Sequence, residues 1–223
     1  METTLNKQEL CDYVSKQLNV FFPDNKSNVS TQIETVIDEV LLRVEKCFSK
    51  ITVRYYKNSK GDTFFNHLNG DHYSMFLYLL SNQIYETIED EETASKCFLL
   101  NKTMFGLDAF YKIKLPDHFL FVHPVGTVLG NAEYGDYLVV YQNVTVGSKT
   151  DGLYPKFLGK NILYSGSSII GNSIIGSNSI IAANTSLIDT VCEANSTIVG
   201  FYPKVRQIKN SNNLISSCFN FES

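Results

Sequence analysis

The sequence predicts an α+β fold: an N-terminal α-helical domain (1–105) running into a parallel β-helix (106–203), with a short tail (204–223). Three observations carry this reading. An apolar residue recurs every six positions at Val122, Val128, Tyr134, Val140 and Val146, and again at Phe157, Leu163, Ile169, Ile175, Ile181, Leu187 and Val199, with Glu193 the one break. A helix repeats about every 3.6 residues and a strand about every 2, so a sustained period of six fits neither alone. It is the pattern of a β-helix, whose short strands each send one aliphatic side chain inward and then turn a corner. Small residues often follow these markers, at Gly135, Gly147, Gly171, Gly176, Ala182 and Gly200. The first hundred residues instead show helical spacing.

Taken in order, Leu10, Tyr13, Val14 and Leu18 share one face of a helix over residues 4–20. Phe21-Phe22-Pro23-Asp24 ends it, because proline cannot continue a helix. Thr31-Gln32-Ile33-Glu34 reads as a capping box opening a second helix, with Ile33, Val36, Ile37, Val40, Leu41, Val44 and Phe48 at helical spacing. Ile51, Val53 and Tyr55 alternate with polar residues, which predicts a short strand, and 57–62 is a polar turn. Tyr73–Tyr85 predicts a buried helix. Glu86–Glu92 predicts a solvated acidic turn and not a metal site. Thr93–Phe105 predicts a helix packing Cys97, Leu99, Leu100 and Met104. Between Val146 and Phe157 the six-residue count is exceeded, which inserts a loop at 147–155, where a solenoid tolerates function-bearing insertions.

Composition excludes several classes. The formal charge of −4 argues against nucleic acid or an acidic membrane as partner. Cys11, Cys47, Cys97, Cys192 and Cys218 are odd in number and far apart, with no CxxC pair, so reduced thiols in a cytoplasmic protein are expected. No apolar stretch has the form of a signal peptide or reaches transmembrane length.

The stretches His123-Pro124-Val125-Gly126-Thr127-Val128-Leu129-Gly130-Asn131-Ala132, Tyr141-Gln142-Asn143-Val144-Thr145-Val146-Gly147 and Tyr154-Pro155-Lys156 resemble the serine O-acetyltransferase family of hexapeptide acyltransferases. The resemblance covers about residues 70–208. It implies a left-handed β-helix, acetyl-CoA as acyl donor, no metal, and a homotrimer or dimer of trimers. It also implies that His123 is a general base supported by Asp108, which stands fifteen residues earlier as in the family. An imidazole titrating near neutrality suits the removal of a proton from an attacking hydroxyl or amine, and a carboxylate on its other nitrogen fixes the tautomer. Asp71 is implied as an acceptor contact from the helical region, its competing reading being the N-cap of the helix at Tyr73. Tyr154 is implied as an acceptor-pocket residue. Gly147, Ser165 and Ala183 are implied along the pantetheine arm, in a groove between neighbouring β-helices, and Lys204, Arg206 and Lys209 near the phosphates. His118 reads as a turn residue, and His67 and His72 lie in the helical region.

The sequence departs from the family in two places. Val122 stands where the family carries an Asp before the base, and Leu153-Tyr154 stands where it carries Arg-His. Apolar side chains do not replace charge-assisted bonds to a zwitterion. The expected function is therefore acetyl transfer to a small polar hydroxyl or amine, with an amino sugar of surface-polysaccharide synthesis as the alternative to an amino acid. A metal enzyme of γ-type carbonic anhydrase kind needs three converging imidazoles, and the β-helix offers His123 alone. A non-catalytic binding module is the remaining class.

Overall fold

A computed structural model describes residues 1–24, 28–150, 152–210 and 214–221. Four helices, α1 (Lys7–Phe21), α2 (Val29–Ser49), α3 (Gly70–Ile88) and α4 (Glu91–Phe105), precede a three-sided parallel β-solenoid. Asn6 caps α1 in a full capping box with Glu9. The second helix begins earlier than its sequence predicts: Asn28 is the cap, and Thr31 lies inside the helix. The third and fourth are longer than predicted, being capped by Asn69 and Asp90, so the acidic turn shrinks to Glu89-Asp90. Leu99 and Met104, expected in the core, are exposed, while Cys97 and Leu100 are buried. The expected strand at 51–55 is instead a 3₁₀ turn, Arg54–Tyr56, with Ile51 in an isolated bridge to Phe219.

The first solenoid face stacks Asp108–Ala109, Val128–Leu129, Thr145–Gly147, Ser168–Ile170 and Ser186–Ile188. The second stacks Glu133–Tyr134, Lys156–Phe157, Ile174–Ile175 and Val191–Cys192. The third stacks Phe119–Val122, Leu138–Tyr141, Asn161–Leu163, Ile180–Ile181 and Ser196–Phe201. Inside, Leu129, Val146, Ile169 and Leu187 form one column. Tyr134, Phe157, Ile175 and Cys192 form the next. Phe121, Val140, Leu163, Ile181 and Ile198 complete the core.

The six-residue series is thus correct in its middle and one residue off at both ends. Phe121, Leu129 and Ile198 point inward where Val122, Val128 and Val199 were expected, and Val128 is 40% exposed. Since a one-residue slip turns a strand side chain to the opposite face, the coils absorb it at the corners, lengthening the one between Phe121 and Leu129 and shortening those before Tyr134 and Cys192. The break at Glu193 disappears in the same way, because Cys192 fills the inward position.

Corners are turned by residues with positive φ. Tyr137, Lys160, Asn178 and Asn195 mark one corner; Gly126, Asn143, Gly166 and Asn184 mark another. Asn tolerates this left-handed region better than most residues. The tail does not simply leave the solenoid. Lys204–Lys209 folds back antiparallel on Ser196–Phe201. Asn210 and residues 214–221 then lie along the first of these corners: Asn210 bonds Asn195 and Asn178, and Phe219 and Phe221 pack on Tyr137. The outward Leu120, Val139, Ile162 and Ile180 of the third face are all buried.

Two glycines of the solenoid differ sharply in the room around them. A Cβ at Gly176 would lie 2.4–2.7 Å from the Glu193–Ala194 backbone, whereas at Gly147 its nearest neighbour is Ile170 Cδ1 at 3.7 Å. Gly176→Ala is expected to cost roughly 1–3 kcal/mol, and Gly147→Ala to stay within about 0.5 kcal/mol, both read from urea midpoints.

Candidate functional site

His123 lies just past the strand Phe119–Val122, where the chain leaves the third face for the first. Its φ of 49° puts it in the left-handed region, and its side chain is 79% exposed. Asp71 holds this conformation. Its Oδ1 accepts the His123 peptide N–H at 3.0 Å, and its Oδ2 lies 3.8 Å from Nδ1. Asp71 is presented by the first turn of α3, whose cap Asn69 accepts the Asp71 and His72 N–H groups on its own Oδ1. The helix cap expected at Asp71 is therefore two residues earlier, which frees the Asp71 carboxylate for His123. Burial pushes the Asp71 carboxyl above the usual range, and the His123 N–H and imidazole oppose that rise.

Asp108 lies elsewhere in the hydrogen-bond network. Its Oδ2 receives the Lys102 ammonium at 2.7 Å, and its peptide N–H donates to Thr127 O. Among the described residues, the carboxylate that reaches His123 is Asp71. His118, expected in a turn, pairs Nδ1 with Asp136 Oδ2 at 2.8 Å and stacks on Tyr137.

A cavity of about 550 Å³ opens beside His123 and Asp71. Val53, Tyr55 and Tyr56 form one wall, Leu120, Val122 and Tyr141 another, and Asn69 and Cys218 complete it. Tyr154, expected here, is not among the lining residues. Most of the lining escaped sequence reasoning. Tyr141 had a signal, because it pairs with Val122 of the preceding coil. Cys218 had none: it arrives through the returning tail, tied by Thr52 N–H to Cys218 O and Asn220 N–H to Lys50 O.

Of the residues expected along a pantetheine arm, Ser165 and Ala183 descend the corner that begins beside His123, in line with Val125 and Gln142. Asn143, Gly166 and Asn184 each donate across this corner to the coil above, at Val125, Gln142 and Ser165. Gly147 sits at the opposite edge of the first face, accepting the Gly171 N–H at 3.0 Å. Lys204, Arg206 and Lys209 are all exposed on the last strand, where strand alternation places Lys209 opposite the other two. No helix is long and apolar enough to cross a membrane, and no group of three His, Cys, Asp or Glu side chains is placed to hold a metal ion, both among the described residues.

Three solved structures fix the architecture's relatives. Serine acetyltransferase from Brucella abortus strain S19 superposes with a TM-score of 0.69 at 17% identity, covering 92% of this chain and 84% of that one. The same organism's enzyme in complex with coenzyme A gives 0.68 at 15%, covering 94% and 84%. Serine acetyltransferase isoform 3 from Entamoeba histolytica, in complex with cysteine, gives 0.60 at 19%, covering 92% and 74%. This chain has the serine acetyltransferase fold. No family model and no curated protein sequence matches it. Within the serine acetyltransferase fold, the cavity and His123 lie where the helical region meets the first solenoid coils.

Directly behind the cavity wall, His72 is fully buried against Tyr56 (4.1 Å between centroids) and Phe48 (5.1 Å). Its Nδ1 accepts the Asn66 N–H, and burial drives its pKa down to about 4. The unfolded chain, with a histidine near 6.5, takes up the proton first. Stability is therefore full above pH 6.5 and falls by about 3 kcal/mol as pH drops to 4. His72→Asn, which keeps an acceptor for the Asn66 N–H, is expected to flatten that acid limb in urea midpoints measured from pH 7 to 4.

Proposed function

We propose that the protein is an acetyl-CoA-dependent acetyltransferase of serine acetyltransferase type, moving acetyl to a hydroxyl or amine of a small polar acceptor. The observation that carries this reading is the His123–Asp71 arrangement at the mouth of the cavity, on a fold shared with a coenzyme A complex. Nδ1 is turned toward Asp71, which leaves Nε2 for the acceptor. As the acceptor oxygen or nitrogen attacks the thioester carbonyl carbon, Nε2 takes its proton. Collapse of the tetrahedral intermediate breaks the C–S bond, and the imidazolium returns the proton to the departing CoA sulfur. Asp71 stabilises that imidazolium and holds the ring. Asp108 is the alternative supporting carboxylate, once released from Lys102.

Ser165 and Ala183 are proposed to line the pantetheine arm, with Gly147 across the face and Lys204, Arg206 and Lys209 toward the phosphates. A homotrimer, or a dimer of trimers through the helices, would set two β-helices beside each donor. Tyr154 would then meet the site from the loop. A cytoplasmic location fits the reduced cysteines, all of which are free.

His123→Ala is expected to lower kcat/KM by roughly 10²–10⁴-fold, measured as acceptor-dependent thiol release, with the oligomeric state unchanged. Near-normal turnover would remove His123 as the base. Asp71→Asn should lower kcat at least about tenfold with little change in the KM for acetyl-CoA. If Asp108→Asn is the more damaging of the two, Asp108 is the supporting carboxylate.

A further inference from the structure

The acetyl-transfer reading, on which the acceptor class rests, leaves the acceptor open, and the charges of the cavity narrow it. The lining carries one formal anion, Asp71, and no lysine or arginine. Arg54 lies outside the lining: it is exposed and turned onto Tyr55, donating to that hydroxyl at 2.8 Å and lying over the ring at 4.7 Å. Tyr55, Tyr56, Val53, Leu120, Val122 and Tyr141 make the walls largely apolar. A carboxylate entering here loses hydration without gaining a cation, and it meets the Asp71 charge.

The polar groups that remain have a different preference. Asn69 spends its Oδ1 on the α3 cap, while its amide NH₂ has no partner among the described residues. Asp71 Oδ2 has lone pairs beyond its long contact with His123. Uncharged donors, the Asn69 amide and the hydroxyls of Tyr55 and Tyr141, beside one anionic acceptor suit hydroxyl and ammonium groups better than a carboxylate. A cavity of about 550 Å³ also falls in the range that ligands larger than a free amino acid fill.

We infer that the acceptor is an uncharged or cationic hydroxyl- or amine-bearing compound without a carboxylate, and so is not an α-amino acid. The strictest comparison is L-serine against serinol (2-amino-1,3-propanediol), which replaces only the carboxylate by CH₂OH. Methyl α-D-glucosaminide serves as a larger cationic probe. Using the full chain with acetyl-CoA, serinol or the glucosaminide is expected to exceed L-serine in kcat/KM by more than tenfold; any smaller advantage overturns the inference. Asp71→Asn should narrow the serinol-to-serine ratio at least fivefold, and an unchanged ratio would also overturn it. If no probe supports acceptor-dependent CoA release, the acetyl-transfer reading fails for these acceptors. The class is then decided by titration calorimetry, with the same tenfold margin applied to Kd and an advantage below it overturning the inference.

Discussion

The structure depends on corners that the chain turns with positive φ while each coil keeps one side chain stacked on the one before. For most residues the left-handed region costs roughly 1–2 kcal/mol, which is why Asn and Gly fill so many of these corners. His123 is neither. Its conformation is held from outside, by the carboxylate of Asp71 on its peptide N–H. The turn that comes next allows little relief: a Cβ on Gly126 would sit 2.3 Å from Asn143 Oδ1. The imidazole is thus placed by the solenoid's turn geometry on one side and by a helix start on the other.

That helix start explains why the helical region is more than an attachment. Gly70 and Asp71 reach the cavity because Asn69, and no later residue, caps α3. The returning tail supplies the third element. Its bridge from Phe219 to Ile51, with Ile215 and Phe219 buried, fixes the segment that carries Val53, Tyr55 and Tyr56. The pocket wall is built from five stretches distant in sequence, at 53–56, 69–71, 120–123, Tyr141 and Cys218, and most are held by backbone hydrogen bonds, which tolerate many side-chain identities.

This is also why the fold is more legible in the sequence than the site. Every coil repeats the same burial requirement, so the period of six survives local slips such as Val128 for Leu129. Helix interiors are legible for the same reason, while helix starts are not, because several residues near each start can cap. Thr31 yields to Asn28, and Asp71 to Asn69, through local hydrogen-bond geometry that no periodicity records. His123 is legible from its motif. Its neighbours are less so: Asp71 is implied as an acceptor contact but not as the group that bonds His123, and Cys218 arrives through tertiary folding with no signal at all. A spacing rule captures contacts within one coil and is silent about a helix that docks onto it.

The first turn of α3 joins the stability of the fold to the shape of the site. Asp71 and His72 are adjacent, and a helix sends adjacent side chains about 100° apart. One therefore faces the cavity while the other enters the aromatic cluster of Phe48, Tyr56 and Phe65. Tyr56 belongs to both, packing on His72 and lining the cavity. Protonating His72 places a charge behind the same tyrosine that walls the pocket. The acid sensitivity of the fold and the shape of the cavity are consequently coupled through one ring. Relieving the buried histidine alters the site only to the extent that Tyr56 moves, so the two effects separate in a variant that keeps Tyr56 in place.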